Sequence, residues 1–394
     1  MMNVEGTVAP GFERVRDAFA AAQANDVGGA QLCVYRNGKI VVDLAAGTDV
    51  ANSRPYNRDT LTVLMSCTKA VVAICCHMLA ERGLLDLHAP VARYWPEFAR
   101  NGKESITIAH LLSHSAGLMS FDPDGKLGSA DTLHWNKCTA SLAEMAPLWK
   151  PGTAYMYHFI TYGYLLGEVI RRITGRSVGT FLADEVATPL ALDLWIGLPA
   201  SEDARVAPHF RSVPVVDAAT LRRQFAGFGL DVENRLVRAI IYTLTTTDDL
   251  IELMTQPRGR AAEVPAGNGI GNARALAKLY AACIGEVDGK RLISDATLRR
   301  ACVPQTDSLR GPPPLDVFSG GSPQRFGLGF ELPRDIVPML GPGSFGHPGA
   351  GGRLGFADPD SGFACGYACN QLLWDGLTPD PRWSWCTALR EIAL

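Results

Sequence analysis

The sequence predicts an α/β (α+β) fold in which both ends of the chain build one antiparallel sheet, flanked by helices, with an all-helical region between them. A β-rich run near the N-terminus, QLCVYRNGKIVVDLAAG (31–47), has a counterpart near the C-terminus, RLGFADPDSGFACGYACN (353–370). Between them, from about residue 86 to 250, the pattern changes to helices and long loops rich in Pro, Gly and Asp. The 394 residues are enough for two structural units.

Local signals locate the elements in chain order. Apolar spacing predicts helices over 11–24, 67–84, 106–118, 162–175, 273–285 and 382–393. Asn37-Gly38 between two β-rich runs predicts a hairpin, and 358–362 predicts a turn between two late strands. We therefore expect a sheet domain made of 1–85 and 265–394, and a helical domain over 86–264.

Composition narrows the function classes. The net charge is −3 and no block of like charges occurs, which disfavours nucleic-acid binding and electrostatic attachment to membranes. The sequence shows neither a signal-peptide pattern nor an apolar run of about 20 residues, so no membrane span is expected. The ten cysteines lack paired C-x-x-C spacing and mostly have apolar neighbours. Buried thiols in a reducing compartment explain them, which predicts a cytoplasmic protein.

The stretch LMSCTKAVVAICC (64–76) places a lysine inside an apolar helix, three residues after a serine. Residues three apart share a helix face, so Ser66 and Lys69 can meet. Burial lowers the pKa of a lysine and makes its amine a plausible base, and the start of a helix offers free N–H groups beside the serine oxygen. The pattern suits a serine nucleophile with a base on the same helix, although S-x-x-K alone also arises by chance.

Further motifs make the chain resemble the class C β-lactamase-like and penicillin-binding-protein superfamily, in which S-x-x-K heads an apolar helix. GLLDLHAPVARYWPEF (83–98), ITIAHLLSHSAGL (106–118) and PGTAYMYHFITYGYLLGEVIRRITG (151–175) follow in the expected order, and FGHPGAGG (345–352) is similar to the third motif of that superfamily. Within it, the pattern around Tyr157 and the GHPGAGG segment most resemble the family VIII serine carboxylesterases.

The resemblance implies a function and a set of site residues. It implies an acyl-enzyme formed on Ser66 in a cleft between the two domains, with Lys69 and Tyr157 handling the proton. It also implies an oxyanion held by the N–H groups of Ser66 and Ala350, with Gly349 beside them. We expect the lysine charge to lower the pKa of the tyrosine and burial to lower that of the lysine; which group is the immediate base stays open.

The same resemblance implies no metal and no cofactor. The expected partner is a small-molecule ester, and the oligomeric state is left open.

Two departures from the β-lactamase pattern bear on the substrate. The asparagine that contacts the amide of a β-lactam side chain is replaced by Phe159, and the lysine of the third motif by His347. Both changes weaken recognition of an anionic amide, whereas ester cleavage needs neither contact. We therefore expect a serine esterase acting on short-chain carboxylic esters. A β-lactamase, DD-peptidase or acyltransferase on the same machinery, and a non-catalytic scaffold, are the alternatives.

Several other patterns have a structural explanation. Tyr155 competes with Tyr157 for the catalytic role, but spacing from Pro151-Gly152 favours Tyr157. His110 and His114 have i,i+4 spacing on the predicted helix but lack the glutamate of a zinc-protease motif, so we interpret them as structural. Ser115 lacks the strand and the first glycine of a nucleophile elbow, which indicates a turn residue. The glycine-rich stretch 267–271 is interpreted as a loop.

Overall fold

The computed structural model describes residues 4–24, 26–124, 127–212, 214–318, 323–374, 376 and 378–393. The strands are β1 (Val4–Val8), β2 (Gly29–Arg36), β3 (Lys39–Asp49), β4 (Arg54–Pro55), β5 (Thr62–Val63), β6 (Leu194–Trp195), β7 (Phe210–Arg211), β8 (Ile270–Gly271), β9 (Phe345–Gly349), β10 (Arg353–Asp358), β11 (Phe363–Cys369) and β12 (Gln371–Leu372).

The α-helices are α1 (Glu13–Gln23), α2 (Cys67–Glu81), α3 (Ile108–Leu112), α4 (Trp135–Glu144), α5 (Thr161–Thr174), α6 (Val178–Leu182), α7 (Ala218–Gly227), α8 (Arg235–Leu253), α9 (Pro257–Ala261), α10 (Ala273–Ile284), α11 (Asp295–Ala301) and α12 (Trp385–Ala393). Single 3₁₀ turns occupy Val91–Arg93, Pro96–Ala99, Ser129–Leu133, Ala200–Arg205, Leu315–Phe318 and Pro381–Trp383, and a π turn follows α6 over Ala183–Ala187.

The main sheet is antiparallel and contains strands from both ends of the chain, as the sequence predicts. Its order is β1-β3-β2-β11-β10-β9, and the short strand β4 pairs antiparallel with the end of β3. The pairing of β2 with β11 sets Leu32 opposite Tyr367 and joins the N-terminal strands to the C-terminal ones. Strand β9, which carries the third predicted motif, is thereby the edge strand of this path.

Both predicted turns form, and they touch each other. Asn37 and Gly38 have φ values of 49° and 77°, the pair of positive angles that a type I′ hairpin turn requires. The second turn ends at Gly362, whose φ is 70°. The N–H of Asn37 donates to the carbonyl of Gly362 at 2.9 Å, so the two hairpins are fixed side by side.

Each face of the sheet packs against its own hydrophobic core. The two faces differ in the size of their side chains. On β11, Phe363, Cys365 and Tyr367 point into the core under α1 and α12. The alternate positions are small: a Cβ at Gly366 would lie 2.2 Å from the carbonyl oxygen of Ala273, at the start of α10. Small residues on this face therefore let α10 pack directly on the strands. Because successive side chains of a strand point to opposite faces, the alternation of large and small residues predicts which face each residue covers.

The structure differs from the sequence expectations in the middle region. The helix predicted over 106–118 is only the five residues of α3, because His114 (φ 61°) and Gly117 (φ 79°) turn the chain out of the helical path. Strands β6 and β7 also lie in the region expected to be all-helical.

The C-terminal helix is shorter than the sequence predicts. The last helix begins at Trp385, after a 3₁₀ turn, rather than at 382. The proposed domain boundaries stay a prediction. Among the described helices, none is long and apolar enough to cross a membrane.

Candidate active site

Ser66 occupies the position directly before α2, in a backbone turn that is held from both sides. Met65 has a φ of 51°, which non-glycine residues rarely adopt. The N–H of Leu64 donates to the carbonyl of Gly269 at 2.7 Å, and the N–H of Gly269 donates to Thr68 Oγ1 at 2.8 Å. Within the described part of the chain, the N–H of Ser66 has no hydrogen-bond acceptor. Ser66 therefore combines a free N–H with the positive end of the α2 dipole.

Lys69 is fully buried one turn further along α2. Its Nζ lies 3.1 Å from Ser66 Oγ and donates to the carbonyls of Phe159 and Ala266, both at 2.8 Å. Burial lowers the pKa of Lys69 well below its ordinary value, as expected from the sequence. The amine is thus held by backbone acceptors and not by a carboxylate, an arrangement that favours its neutral form.

Tyr157 packs against the same amine. Lys69 Nζ lies 4.7 Å from the centre of the Tyr157 ring, and Tyr157 Oη lies 3.4 Å from His347 Nε2. Burial raises the pKa of Tyr157 well above its ordinary value, and its hydrogen bond with Ser66 acts in the opposite direction more weakly. The expectation that the lysine charge lowers this pKa is therefore wrong, because desolvation is the dominant effect on both groups.

His347 contributes a neutral imidazole to the site. Its Nδ1 lies 2.6 Å from the carbonyl oxygen of Pro348, which can only accept, so Nδ1 carries the proton. In the neutral ring Nε2 is then an acceptor for the hydroxyl of Tyr157. Burial lowers the pKa of His347 to about 3, so the ring is uncharged at neutral pH. The carbonyl of His347 accepts from Cys67 Sγ at 3.2 Å, which ties β9 to the start of α2.

The end of β9 lies directly against the segment that precedes Ser66. A Cβ at Gly349 would lie 2.5 Å from the carbonyl oxygen of Leu64 and 3.2 Å from Met65 Cβ, so only glycine allows this approach. The next residue, Ala350, lines the same cavity as Ser66. Its N–H, like that of Ser66, has no acceptor within the described residues. The sequence-predicted residues of both segments thus meet at one place.

A cavity of about 800 Å³ opens in front of Ser66. Its lining is mainly apolar, with contributions from Phe159, Phe225, Ile240, Leu244, Ile251, Leu315, Phe318 and Trp374. Two ion pairs interrupt this lining: Arg211 with Asp248 at 2.8 Å, and Arg334 with Glu331 at 2.7 Å. Burial raises the pKa of Glu331. The arrangement places a serine hydroxyl, an amine whose pKa is lowered by burial, and two N–H groups without an acceptor among the described residues at the wall of a mainly apolar cavity.

Comparisons with known proteins show the family to which the chain belongs. The family model described as "Beta-lactamase" matches residues 15–384. The chain belongs to the beta-lactamase family. An Esterase/beta-lactamase LipL from Mycobacterium tuberculosis is 32% identical over 387 residues, covering 94% of this chain and 83% of the relative.

Two solved structures are similar over the whole of both chains. A penicillin-binding protein homologue from Caulobacter crescentus has a TM-score of 0.81 at 34% identity, and a family VIII carboxylesterase has a TM-score of 0.80 at 36% identity. They confirm the fold and the resemblance predicted from the sequence. As a member of the beta-lactamase family, the protein is a serine hydrolase.

In this beta-lactamase family member, the residues that are alternatives to Tyr157 and Ser66 make structural hydrogen bonds. The hydroxyl of Tyr155 donates to the carbonyl of Gln324 at 2.8 Å, whereas Tyr157 faces Lys69. Ser115 hydrogen-bonds Ser113 at 2.9 Å in a buried turn.

The other two motifs are structural as well. His110 closes the capping box of α3, while His114 lies beyond the end of that helix and packs at a tilt against the Tyr157 ring, so the two do not share a helix face. Within the described residues, no group of three or more His, Cys, Asp or Glu side chains could hold a metal ion. The stretch 267–271 is a loop that ends in β8.

Sequence reasoning missed the residues that hold Tyr157 and Lys69 in place. The N–H of His158 donates to His114 Nδ1 at 3.0 Å, and Phe326 stacks on the Tyr157 ring with 5.9 Å between ring centres. The carbonyl of Ala266 binds the lysine amine through the backbone. A backbone carbonyl cannot be recognised from residue type. Of the residues that hold Tyr157 and Lys69, His158, which is adjacent to Tyr157 in the sequence, is the one whose position could indicate this support.

The lowered pKa of Lys69 has a consequence for stability. Between that pKa and the ordinary value of about 10.4, the unfolded chain binds more protons than the folded protein, so folding stability rises with pH in this window. We expect the free energy of unfolding of the wild type, minus that of Lys69→Met, to grow as the pH rises towards about 10, by at most about 1.4 kcal/mol per pH unit. Urea unfolding of both proteins measures it; a difference that is flat or falls with pH contradicts a neutral Lys69.

Proposed function

We propose that this serine hydrolase is an esterase that cleaves short-chain carboxylic esters through an acyl-enzyme on Ser66. The observation that carries the proposal is the 3.1 Å distance between Ser66 Oγ and Lys69 Nζ, at a lysine whose pKa is lowered by burial. A neutral amine has two N–H bonds, which match the carbonyls of Phe159 and Ala266. Its lone pair is then left to accept the proton of Ser66, which makes Lys69 the immediate base.

Acylation follows from this arrangement. Ser66 Oγ attacks the ester carbonyl carbon while its proton passes to Lys69. The N–H groups of Ser66 and Ala350, both without another acceptor in the described structure, hold the oxyanion of the tetrahedral intermediate. Loss of one such donor typically costs about 3 kcal/mol of barrier. The intermediate collapses as the C–O bond breaks, the alcohol leaves with a proton from Lys69, and water attacks the acyl-enzyme in the reverse sequence.

Tyr157 acts in this scheme as a neutral hydroxyl. Its raised pKa keeps the phenol protonated at neutral pH, and His347 Nε2 is placed to accept from it at 3.4 Å. The hydroxyl can donate to the oxygen of Ser66 or of the departing alcohol while its ring stabilises the charge that develops on Lys69. Tyr157 thus carries a proton between Lys69 and the leaving group.

The residues around the nucleophile support a neutral ester as the substrate. Phe159 offers no side-chain donor for an amide, and His347 is uncharged. The mainly apolar cavity fits the hydrocarbon part of an ester. The names of the Mycobacterium tuberculosis relative and of the family VIII carboxylesterase structure support ester cleavage. The first of these names also includes beta-lactamase, so β-lactam hydrolysis on the same residues is the second candidate.

Ser66→Ala tests the nucleophile. We expect kcat for a nitrophenyl acetate or butyrate to fall by at least about a thousandfold, because no other group can form the acyl-enzyme. Ser115→Ala removes a buried serine hydroxyl from a nearby turn and is the matched control, with thermal unfolding of both variants to verify the fold. Retention of more than about a tenth of wild-type kcat in Ser66→Ala excludes this serine.

Substitution of each tyrosine tests whether Tyr157, and not Tyr155, is the proton carrier. Tyr157→Phe is expected to lower kcat at least about a hundredfold, since a positioned proton donor is lost. Tyr155→Phe loses only a hydrogen bond to Gln324 and should change kcat less than about threefold. Combining Tyr157→Phe with Lys69→Ala should cost much less than the sum of the single effects, because both groups act on one proton. A severe Tyr155→Phe with a mild Tyr157→Phe contradicts the assignment.

Substrate class is tested by kcat/KM for a short-chain nitrophenyl ester and a chromogenic cephalosporin on one preparation. The cephalosporin presents an amide and a carboxylate, for which Phe159 and neutral His347 are poor partners. Each unpaired group costs about 1–3 kcal/mol, so the ester should be favoured by roughly a thousandfold or more. Comparable values, or a preference for the cephalosporin, reverse the order of the two candidates.

A further inference from the structure

The turn that joins β9 to β10, residues 349–353, carries the N–H of Ala350. We call it the oxyanion turn. Gly351 and Gly352 have φ values of 79° and 107°, so the turn contains two residues with wide conformational freedom. A backbone N–H stabilises an oxyanion only if its direction is fixed before the reaction. The question is therefore what holds this glycine-rich turn in one conformation.

The peptide between Gly349 and Ala350 is oriented by a hydrogen bond inside the oxyanion turn. The carbonyl of Gly349 accepts from the N–H of Gly352 at 3.0 Å. In a trans peptide the carbonyl and the following N–H point in opposite directions, so this bond turns the N–H of Ala350 outward from the turn. The direction of the oxyanion donor thus depends on where the later peptides of the turn are held.

Arg353 holds the second peptide and links it to the nucleophile. The side chain is fully buried; its Nη1 donates to the carbonyl of Ala350 and its Nε to the carbonyl of Val63, both at 3.1 Å. Val63 lies three residues before Ser66. One guanidinium therefore spans the two segments that supply the two N–H donors, and it fixes their separation.

Two adjacent residues before α12 hold the remaining carbonyls. Arg382 Nη2 donates to the carbonyl of Gly351, which also accepts longer bonds from the N–H of Leu373 at 3.5 Å and from Cys369 Sγ at 3.6 Å. Trp383 Nε1 donates to the carbonyl of Gly352 at 2.8 Å. Arg382 is itself fixed by Asp380 at 2.7 Å, and both side chains are buried. Every carbonyl of residues 349–352 thus has a donor, and the last two donors come from a segment outside the cavity lining.

We propose that Trp383, Arg382 and Arg353 are positioning residues for the oxyanion N–H of Ala350. They touch no substrate; by binding the carbonyls on one side of the oxyanion turn they fix the N–H on the other side. This inference rests on the proposed ester hydrolysis at Ser66. It predicts a defect in stabilising the tetrahedral intermediate and little defect in binding the ester itself.

Two tryptophans of similar burial provide the test. Trp383→Phe removes the donor to Gly352 and keeps an aromatic ring. Trp385→Phe is the matched control, because its Nε1 is buried without a partner among the described residues. We expect Trp383→Phe to lower kcat for a short-chain ester about tenfold with KM nearly unchanged, since a buried carbonyl loses its donor.

A second readout separates positioning from general loosening of the fold. A trifluoromethyl ketone that matches the ester forms a tetrahedral adduct on the serine, with its oxyanion where that of the intermediate lies. Its inhibition constant should rise by the same factor as kcat falls in Trp383→Phe, and Trp385→Phe should change neither quantity more than about twofold. Arg382→Lys, which keeps the charge beside Asp380, should show the same pattern as Trp383→Phe.

The outcomes are distinguishable. Equal losses of kcat in the two tryptophan variants, or an effect confined to KM, overturn the positioning role. The same holds if Trp383→Phe leaves the inhibition constant unchanged, or if Trp383→Phe does not fold while Arg382→Lys has wild-type kinetics. Ser66→Ala, measured in the same series, reports on ester hydrolysis separately: full activity there refutes the proposed function, whatever the tryptophan variants do.

Discussion

The candidate site is built around one buried amine, that of Lys69, which contacts no carboxylate among the described residues. Lys69 is surrounded by apolar helix and two backbone carbonyls, so its charged form is disfavoured by desolvation. A lysine in water or beside an aspartate would stay protonated at neutral pH and could not accept a proton from a serine. Helix α2 is buried along nearly its whole length, and the segments that carry Phe159 and Ala266 supply the carbonyls that bind the amine.

The supports on the two sides of Ser66 differ in kind. Around Tyr157 the contacts are aromatic, with the rings of His114 and Phe326 at 4.9 and 5.9 Å between ring centres. On the sheet side the contacts are hydrogen bonds to backbone, from Arg353 and from the segment before α12. Under the proposed mechanism, proton transfer requires a dry environment and oxyanion binding requires a fixed direction, so the two kinds of contact suit the two steps.

How well the sequence predicts a contact in this site depends on how far apart the two residues are along the chain. Ser66 and Lys69 are three residues apart on one helix, so helical geometry alone predicts their contact. Tyr157 and His347 lie far away in the chain, and only family resemblance could bring them to Ser66. The sheet and its two hairpins were predictable because turn residues and alternating patterns are local.

The features that the sequence did not predict are set by tertiary contacts of the backbone. The positive φ of Met65, the carbonyl of Ala266 and the early end of α3 at Leu112 depend on which segments meet, and residue type does not report this. His114 shows the effect most clearly: its spacing from His110 fits a helix, yet packing against Tyr157 takes it out of the helical path. The sequence pattern therefore indicates the candidate side chains of the site, whereas the groups that contact them follow only from the tertiary structure.

The pairing of β2 with β11 has a consequence for the order of events during synthesis. A nascent chain that has emerged as far as residue 340 contains Ser66, Lys69 and Tyr157, but neither Ala350 nor the strand that pairs with β2. Such an intermediate lacks one of the two backbone donors and exposes an unpaired strand edge, a surface on which other chains can aggregate. The segment after residue 340 thus supplies both the second proposed oxyanion donor and the strand that covers the edge of β2.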